Sequence, residues 1–219
     1  RIADWEFALG VNFINQHLSY VTIMGARKRD HPQSFSYHEP WWPAYKLMGD
    51  YLGRLSVAMS RGSQVNRVLV LEPSTSAWLY YAPGTESERV RRIGLEFTDF
   101  INRLEAAQVE YDLGSEAILR EHGRTEAKNL SVGERRYDVV VLPPGMDNLE
   151  STTMALLTPF LEAGGRIISA ADLPAFVDGQ SSDAPAVLAS GHPENWARLA
   201  PPEAADGGAM ALTNSKTMS

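Results

Sequence analysis

The apolar positions of this chain change period at nearly every glycine or proline, and each change marks an element boundary. Residues 2–10, IADWEFALG, set Ile2, Trp5, Phe7, Ala8 and Leu9 mostly on one helical face, with Gly10 where a C-cap belongs. The spacing predicts a helix, followed almost at once by a short apolar strand, NFINQHL, over 12–18. No period then holds until Pro43, which suits a helix N1 position because its missing N–H costs nothing there. From residue 44, AYKLMGDYLGRLSVAMSRG repeats its apolar residues at threes and fours and predicts an amphipathic helix closed by Gly62. Residues 1–62 thus read α–β–long loop–α. Such a piece cannot bury its own strand, which needs neighbours on both sides.

A second rhythm begins near residue 65. VNRVLVLEP reads as a buried parallel strand, and PSTSAWLYYAPGTES as an aromatic loop. SERVRRIGLEFTDFINRLEAAQ predicts a long helix with Ser87 as its N-cap. VEYDLGSEAIL reads as a strand with a following turn, and residues 120–136 as a polar, exposed stretch with room for a strand or short hairpin. YDVVVLPPG is the clearest buried strand, STTMALLTPFLEAGG a helix ending on a glycine pair, and RIISAAD another parallel-type strand. Strands alternating with helices predict an α/β fold with a doubly wound, mostly parallel, Rossmann or flavodoxin-like sheet over 63–191. From 192 onward the chain turns polar and aperiodic, with Pro201, Pro202, Gly207 and Gly208, and reads as a linker or the start of a further domain over 192–219.

Composition narrows the classes. The 219 residues are 44% hydrophobic and 21% charged, ordinary for a soluble globular protein. A net charge of −7 and a pI near 5.3 disfavour nonspecific nucleic-acid binding. Cysteine is absent, which excludes disulfides, thiolate metal sites and cysteine nucleophiles and leaves the compartment open. No apolar run approaches the ~20 residues of a membrane helix. The first residues lack the basic start and apolar core of a signal peptide. They also begin inside a helical pattern without an initiator Met, so the chain is expected to be a piece of a longer protein.

Chemistry concentrates in residues 12–42, a long aperiodic stretch of a kind that is usually functional or disordered. Its aromatic content argues against disorder. Carbohydrate sites need flat aromatic faces for sugar rings and polar side chains for hydroxyls. His17, Tyr20, Arg27, His31, Tyr37, His38, Glu39, Trp41 and Trp42 supply that mixture and are the expected substrate-binding residues. Plainer readings stand beside each. One Trp of the tandem pair can pack against its own domain, His17 can be a hydrogen-bonded core histidine, and Arg27–Lys28–Arg29 can be a solvated turn. Zinc at His31 and His38 would need a third ligand, and their spacing is not diagnostic, so neither metal nor cofactor is expected. The strand ends in 63–191 carry no G-x-G-x-x-G turn, P-loop or G-x-S-x-G elbow, so that domain reads as a scaffold, with Glu72 a helix or loop partner.

The run from NFINQHL through PSTSAW resembles large bacterial glycoside hydrolases of the α-L-rhamnosidase-related and β-galactosidase-like groups. The resemblance rests on the strand ending in His17, the S-x-S-Y-x-x-P-W-W loop at 34–42, the helix with Asp50, Tyr51, Leu55 and Ser56, the strand 68–71 followed by Pro73, and Ser76–Ala77–Trp78. VVVLPPG and FLEAGGRII extend it to about residue 175. It implies that 1–62 ends a (β/α)8 barrel and that 63–191 resembles a class I glutamine amidotransferase domain without its nucleophile, used in assembly. Glycoside hydrolysis needs two carboxylates. In similar enzymes these follow earlier barrel strands, so the resemblance implies no catalytic residue here, Glu39 as a substrate contact, and a piece inactive alone. The implied partners are a carbohydrate, the rest of the parent polypeptide and a second copy in a homo-oligomer, with no nucleic acid and no membrane. The competing expectation is a free-standing flavodoxin-like binding module whose surface is the 74–86 stretch with Trp78, Tyr80 and Tyr81.

Overall fold

The computed structural model describes residues 1–16, 20–29 and 36–199. The chain divides between Gln64 and Val65 into two units.

The first unit opens with helix α1 (Ile2–Ala8), whose only buried residue is Phe7. Gly10, at φ 101°, turns the chain out of it. Residues 11–16 form no strand, contrary to the expectation for NFINQHL. A strand is held by ladders to its neighbours, and no described residue of 1–64 belongs to a sheet. Two 3-10 turns follow, Gly25–Lys28 and Trp42–Ala44, and the second leads into helix α2 (Tyr45–Met59). Pro43 lies inside that lead-in turn, where its fixed φ helps start the helix. The unit is tied by Tyr51 Oη–H donating to Asp4 at 2.8 Å and Ser56 Oγ–H donating to the Asn12 carbonyl at 2.6 Å. No residue of α2 is buried, and Leu47 and Val57 stand 74% and 56% exposed. The amphipathic pattern is there, but among the described residues it is only partly covered: Leu52 and Leu55 are half-buried, and Leu47 and Val57 stand open.

The second unit is built on a parallel sheet. In chain order its elements are β1 (Val68–Leu71), α3 (Ser74–Tyr80), α4 (Glu88–Ala106), β2 (Asp112–Gly114), α5 (Glu116–His122), β3 (Gly123–Glu126), β4 (Asn129–Val132), β5 (Arg135–Tyr137), β6 (Val139–Leu142) and β7 (Asn148–Leu149). There follow α6 (Ser151–Glu162), β8 (Arg166–Ser169), β9 (Phe176–Val177), β10 (Gln180–Ser181), α7 (Ala184–Gly191) and β11 (Trp196–Arg198). The main sheet runs β11-β8-β6-β1-β2, all parallel, with Leu69 opposite both Asp112 and Val140, and Ile168 opposite both Val141 and Ala197. This is the α/β architecture that the alternating pattern predicts.

Because strand side chains alternate, each apolar strand feeds two cores. Leu69, Leu71, Val140, Leu142 and Ile167 pack with Leu157, Phe160, Leu161 and Trp196 on one face. Val70, Val141 and Ile168 meet Leu104 and the apolar stripe of α4 on the other. Helix α4 starts as its sequence requires: Ser87 Oγ accepts the Val90 N–H at 3.3 Å. Ser87→Ala should therefore cost about 1 kcal/mol in urea-unfolding free energy; an unchanged midpoint would show that the cap bond carries no stability.

Three readings change. The first half of the 74–86 aromatic loop is helix α3, held by buried Thr75 and Ser76 rather than by an apolar period. Residues 116–122, read as a turn up to 119 and as the start of the polar stretch from 120, are helix α5, with Ser115 Oγ accepting the Ile118 N–H. Residues 123–137 form a three-stranded antiparallel sheet, β3-β4-β5, where a single strand or hairpin was expected. Past the expected boundary at 191, residues 196–198 supply the β11 edge of the main sheet. A three-residue strand is too short to show a period, and its place comes from Trp196 reaching the core.

Candidate functional site

Residues 36–45 wind through consecutive turns. The N–H of Glu39 bonds the Ser36 carbonyl at 3.1 Å, that of Trp42 the Glu39 carbonyl at 3.1 Å, and that of Ala44 the Trp41 carbonyl at 2.9 Å. This compact path brings aromatic rings together. Trp42 stacks on Tyr45 with centroids 5.2 Å apart and planes 19° apart, and Trp41 flanks the same ring at 5.9 Å. Tyr37 lies tilted against His38 at 4.2 Å. The two tryptophans remain 42% and 39% exposed, and Tyr37 more so. The result is a shelf of indole and phenol faces open on one side.

Polar groups border it. Ser36 Oγ and His38 Nδ1 lie 2.8 Å apart, which fixes the imidazole and leaves Nε2 without a partner among the described residues. Tyr45 Oη–H donates to Gln16 Oε1, joining the shelf to a cleft of about 260 Å³ lined by Phe7, Phe13, Ile14, Leu52 and Ser56 among others. Two glycines of α2, Gly49 and Gly53, form one wall of that cleft. Glu39 is half-buried beside the turn.

Of the nine expected binding residues, the structure gathers Tyr37, His38, Glu39, Trp41 and Trp42 into one segment. Tyr20 is half-buried, and Arg27 is exposed on the Gly25–Lys28 turn. His17 and His31 lie outside the described residues. Sequence reasoning missed Tyr45 and Gln16. Tyr45 reads as the first apolar position of a helix, yet its ring is the plate on which Trp42 rests. A Trp-Pro-x-Tyr spacing at a helix start was the available signal, since a 3-10 turn stacks residues three apart.

The arrangement offers ring faces and hydrogen-bonding groups, as a sugar requires. It does not offer paired carboxylates: Glu39 is the one acid described between 20 and 45. Nor do the described residues hold three His, Asp or Glu side chains placed to grip a metal ion.

At the carboxyl edge of the main sheet, where open α/β sheets take ligands, the polar groups are occupied with one another. Arg89 grips Asp147 through Nη2 at 2.5 Å and Nε at 3.0 Å, and Tyr80 Oη–H donates to the same carboxylate at 3.0 Å. The Asp147 carboxylate holds the Arg89 guanidinium charged, while burial first and then Asp147 push the Tyr80 hydroxyl up. Glu72 uses its N–H on the Gly114 carbonyl. The Asp147 carboxylate is thus taken up by bonds within the unit.

No protein-family model and no curated protein matches the chain. Among solved structures it is similar in fold to a rhamnosidase from Novosphingobium sp. PP1Y, at 17% identity and a TM-score of 0.51. The match covers 85% of this chain, more than either unit alone could supply, and 17% of that one. The chain has, on this ground, a distant likeness in fold to a glycoside hydrolase, of whose length it spans a small part.

Proposed function

We propose that the chain is a portion of a glycoside hydrolase, in which the aromatic shelf of residues 36–45 contacts the carbohydrate and the parallel-sheet unit serves in assembly. The observation that carries this reading is the shelf itself: Trp42 stacked on Tyr45 and Trp41 tilted against the same ring, with both indoles partly exposed and His38 three residues before them. Exposed ring faces next to hydrogen-bonding groups fit the two-sided surface of a pyranose. The fold likeness to a rhamnosidase supports the same class and suggests an L-rhamnoside as the first ligand to try. His17, Tyr20, Arg27, His31 and Glu39 are proposed as further contacts. With a single described acid at the shelf, the chain alone hydrolyses nothing, and the two carboxylates belong to other parts of the parent enzyme. The exposed apolar side chains of α2, Leu47 and Val57 among them, are the surface those parts would cover.

The test is a titration of the full chain with L-rhamnose and with an aryl rhamnoside, followed by tryptophan fluorescence. Saturable millimolar quenching, lost in Trp42→Ala and kept in Trp78→Ala, is the expected result; quenching that survives Trp42→Ala would overturn the assignment. Release of the aryl group by the chain alone would overturn the claim of inactivity.

A second reading, a free-standing binding module, is favoured by Trp78 and Tyr81, 67% and 63% exposed on the sheet unit. It predicts binding lost in Trp78→Ala and a monomer or symmetric dimer that takes up no hydrophobic dye. The first reading predicts dye uptake by the uncovered α1 and α2 stripes.

A further inference from the structure

Glu116 is the one fully buried carboxyl group among the described residues, 1% exposed. It opens α5, and its side chain joins two further helices. Thr75 Oγ1–H of α3 donates to one oxygen, and the Glu150 N–H at the start of α6 donates to the other at 2.6 Å. Both partners are neutral donors, and no Lys, Arg or His among the described residues pairs with it. The Thr153 hydroxyl of α6 lies by the same carboxyl, wholly buried and without a hydrogen bond of ordinary geometry. An anion sealed from water without a cation is strongly disfavoured. A protonated carboxyl avoids that cost and still offers acceptor lone pairs to both donors.

We propose that Glu116 is a proton-operated latch: protonated, it ties α3, α5 and the first turn of α6 into one junction, and ionised it releases that turn.

The surrounding charges do not supply the missing cation. Glu150 faces it as a like charge and is itself taken by Arg120 at 2.7 Å. Asp178 accepts the Ser151 N–H at 2.9 Å. On α5, Glu121 and His122 are exposed. Tyr80, the last residue of α3, and Arg89 are engaged with Asp147, and Glu72 follows β1. Burial is the main cause raising the Glu116 carboxyl above its usual range, opposed by the Thr75 and Glu150 bonds and by the Thr153 hydroxyl nearby. A group that holds its proton more tightly when folded stabilises the fold fully below the ordinary glutamate value, about 4.3. That stabilisation is lost as pH rises through the group's own higher value.

The experiment uses the full chain, ¹³C-labelled at glutamate Cδ, beside E116Q. The glutamine keeps the shape, accepting the Glu150 N–H and donating to Thr75. The resonance missing from E116Q should titrate at higher pH than every other glutamate. Over the same range the Met154 amide, which bonds the Glu150 carbonyl at 3.0 Å, should lose on the order of tenfold hydrogen-exchange protection in the wild type and keep it in E116Q. Titration in the ordinary range, or equal loss in both proteins, overturns the latch. Were E116Q not to fold, the wild type decides alone. Loss at Met154 with Leu130 and Ile167 unchanged supports the proposal, and parallel loss at all three overturns it.

Discussion

Replacing Trp196 by alanine should lower the unfolding free energy of the sheet unit by about 3–5 kcal/mol, the usual cost of emptying a large aromatic site. Trp196 is nearly sealed within the larger core, and its Nε1–H donates to Ser169 Oγ at 2.9 Å. Ser169 is itself wholly buried, so the truncation also strands a hydroxyl, which adds about 1–3 kcal/mol where no water can enter. Trp196→Phe separates the two effects by keeping most of the ring and losing the N–H. It should cost less than alanine but more than a surface change. Urea unfolding of the full chain, read by circular dichroism, gives both values. A loss under ~1 kcal/mol for Trp196→Ala would mean that β11 is not seated in the sheet and that the chain from 192 is a linker after all.

Adding a single methyl group at Gly165 should also be costly. A Cβ there would fall inside contact distance of Cδ2, Cε2 and Cζ of Phe160, which is wholly buried. The ring has nowhere to go, because Leu157, Leu161 and Ile167 fill its surroundings. Gly165→Ala is therefore expected to cost about 1–3 kcal/mol, at the upper end of overpacking effects. Gly164, at φ 90°, makes the left-handed turn that delivers the chain to β8, so the pair divides the work: one glycine for conformation, the other for space. A double-mutant cycle with Phe160→Leu tests the cause. The alanine penalty should shrink by ~1 kcal/mol in the leucine background. The same penalty in both backgrounds would place the clash elsewhere.

Where the chain carried enough residues to show a period, it could be read directly. β1, β6 and β8 stand out as β-branched and leucine runs because both faces of a parallel strand are buried. Helix α4 stands out by its stripe and its Ser87 cap, and α6 by its glycine pair. The shelf was legible as a concentration of aromatic and polar residue types around 37–42. What could not be read was their arrangement. Tyr45 enters the shelf through one turn of 3-10 helix, whose i to i+3 stacking no hydropathy pattern marks. The seven-residue helix α3 hid inside an aromatic loop because Thr75 and Ser76, polar by type, are its buried residues.

Local sequence alone settled the class of the second unit: helices and buried strands in alternation leave a parallel sheet as the way to satisfy every backbone group. Tertiary contacts decided the rest. Strand order, the recruitment of β11, and the third strand after 129–132 depend on partners far along the chain, and short segments carry too few side chains to encode them. The first unit shows the converse. NFINQHL has a strand's composition, yet residues 11–16 form no ladder, because a strand exists only where another backbone accepts its hydrogen bonds.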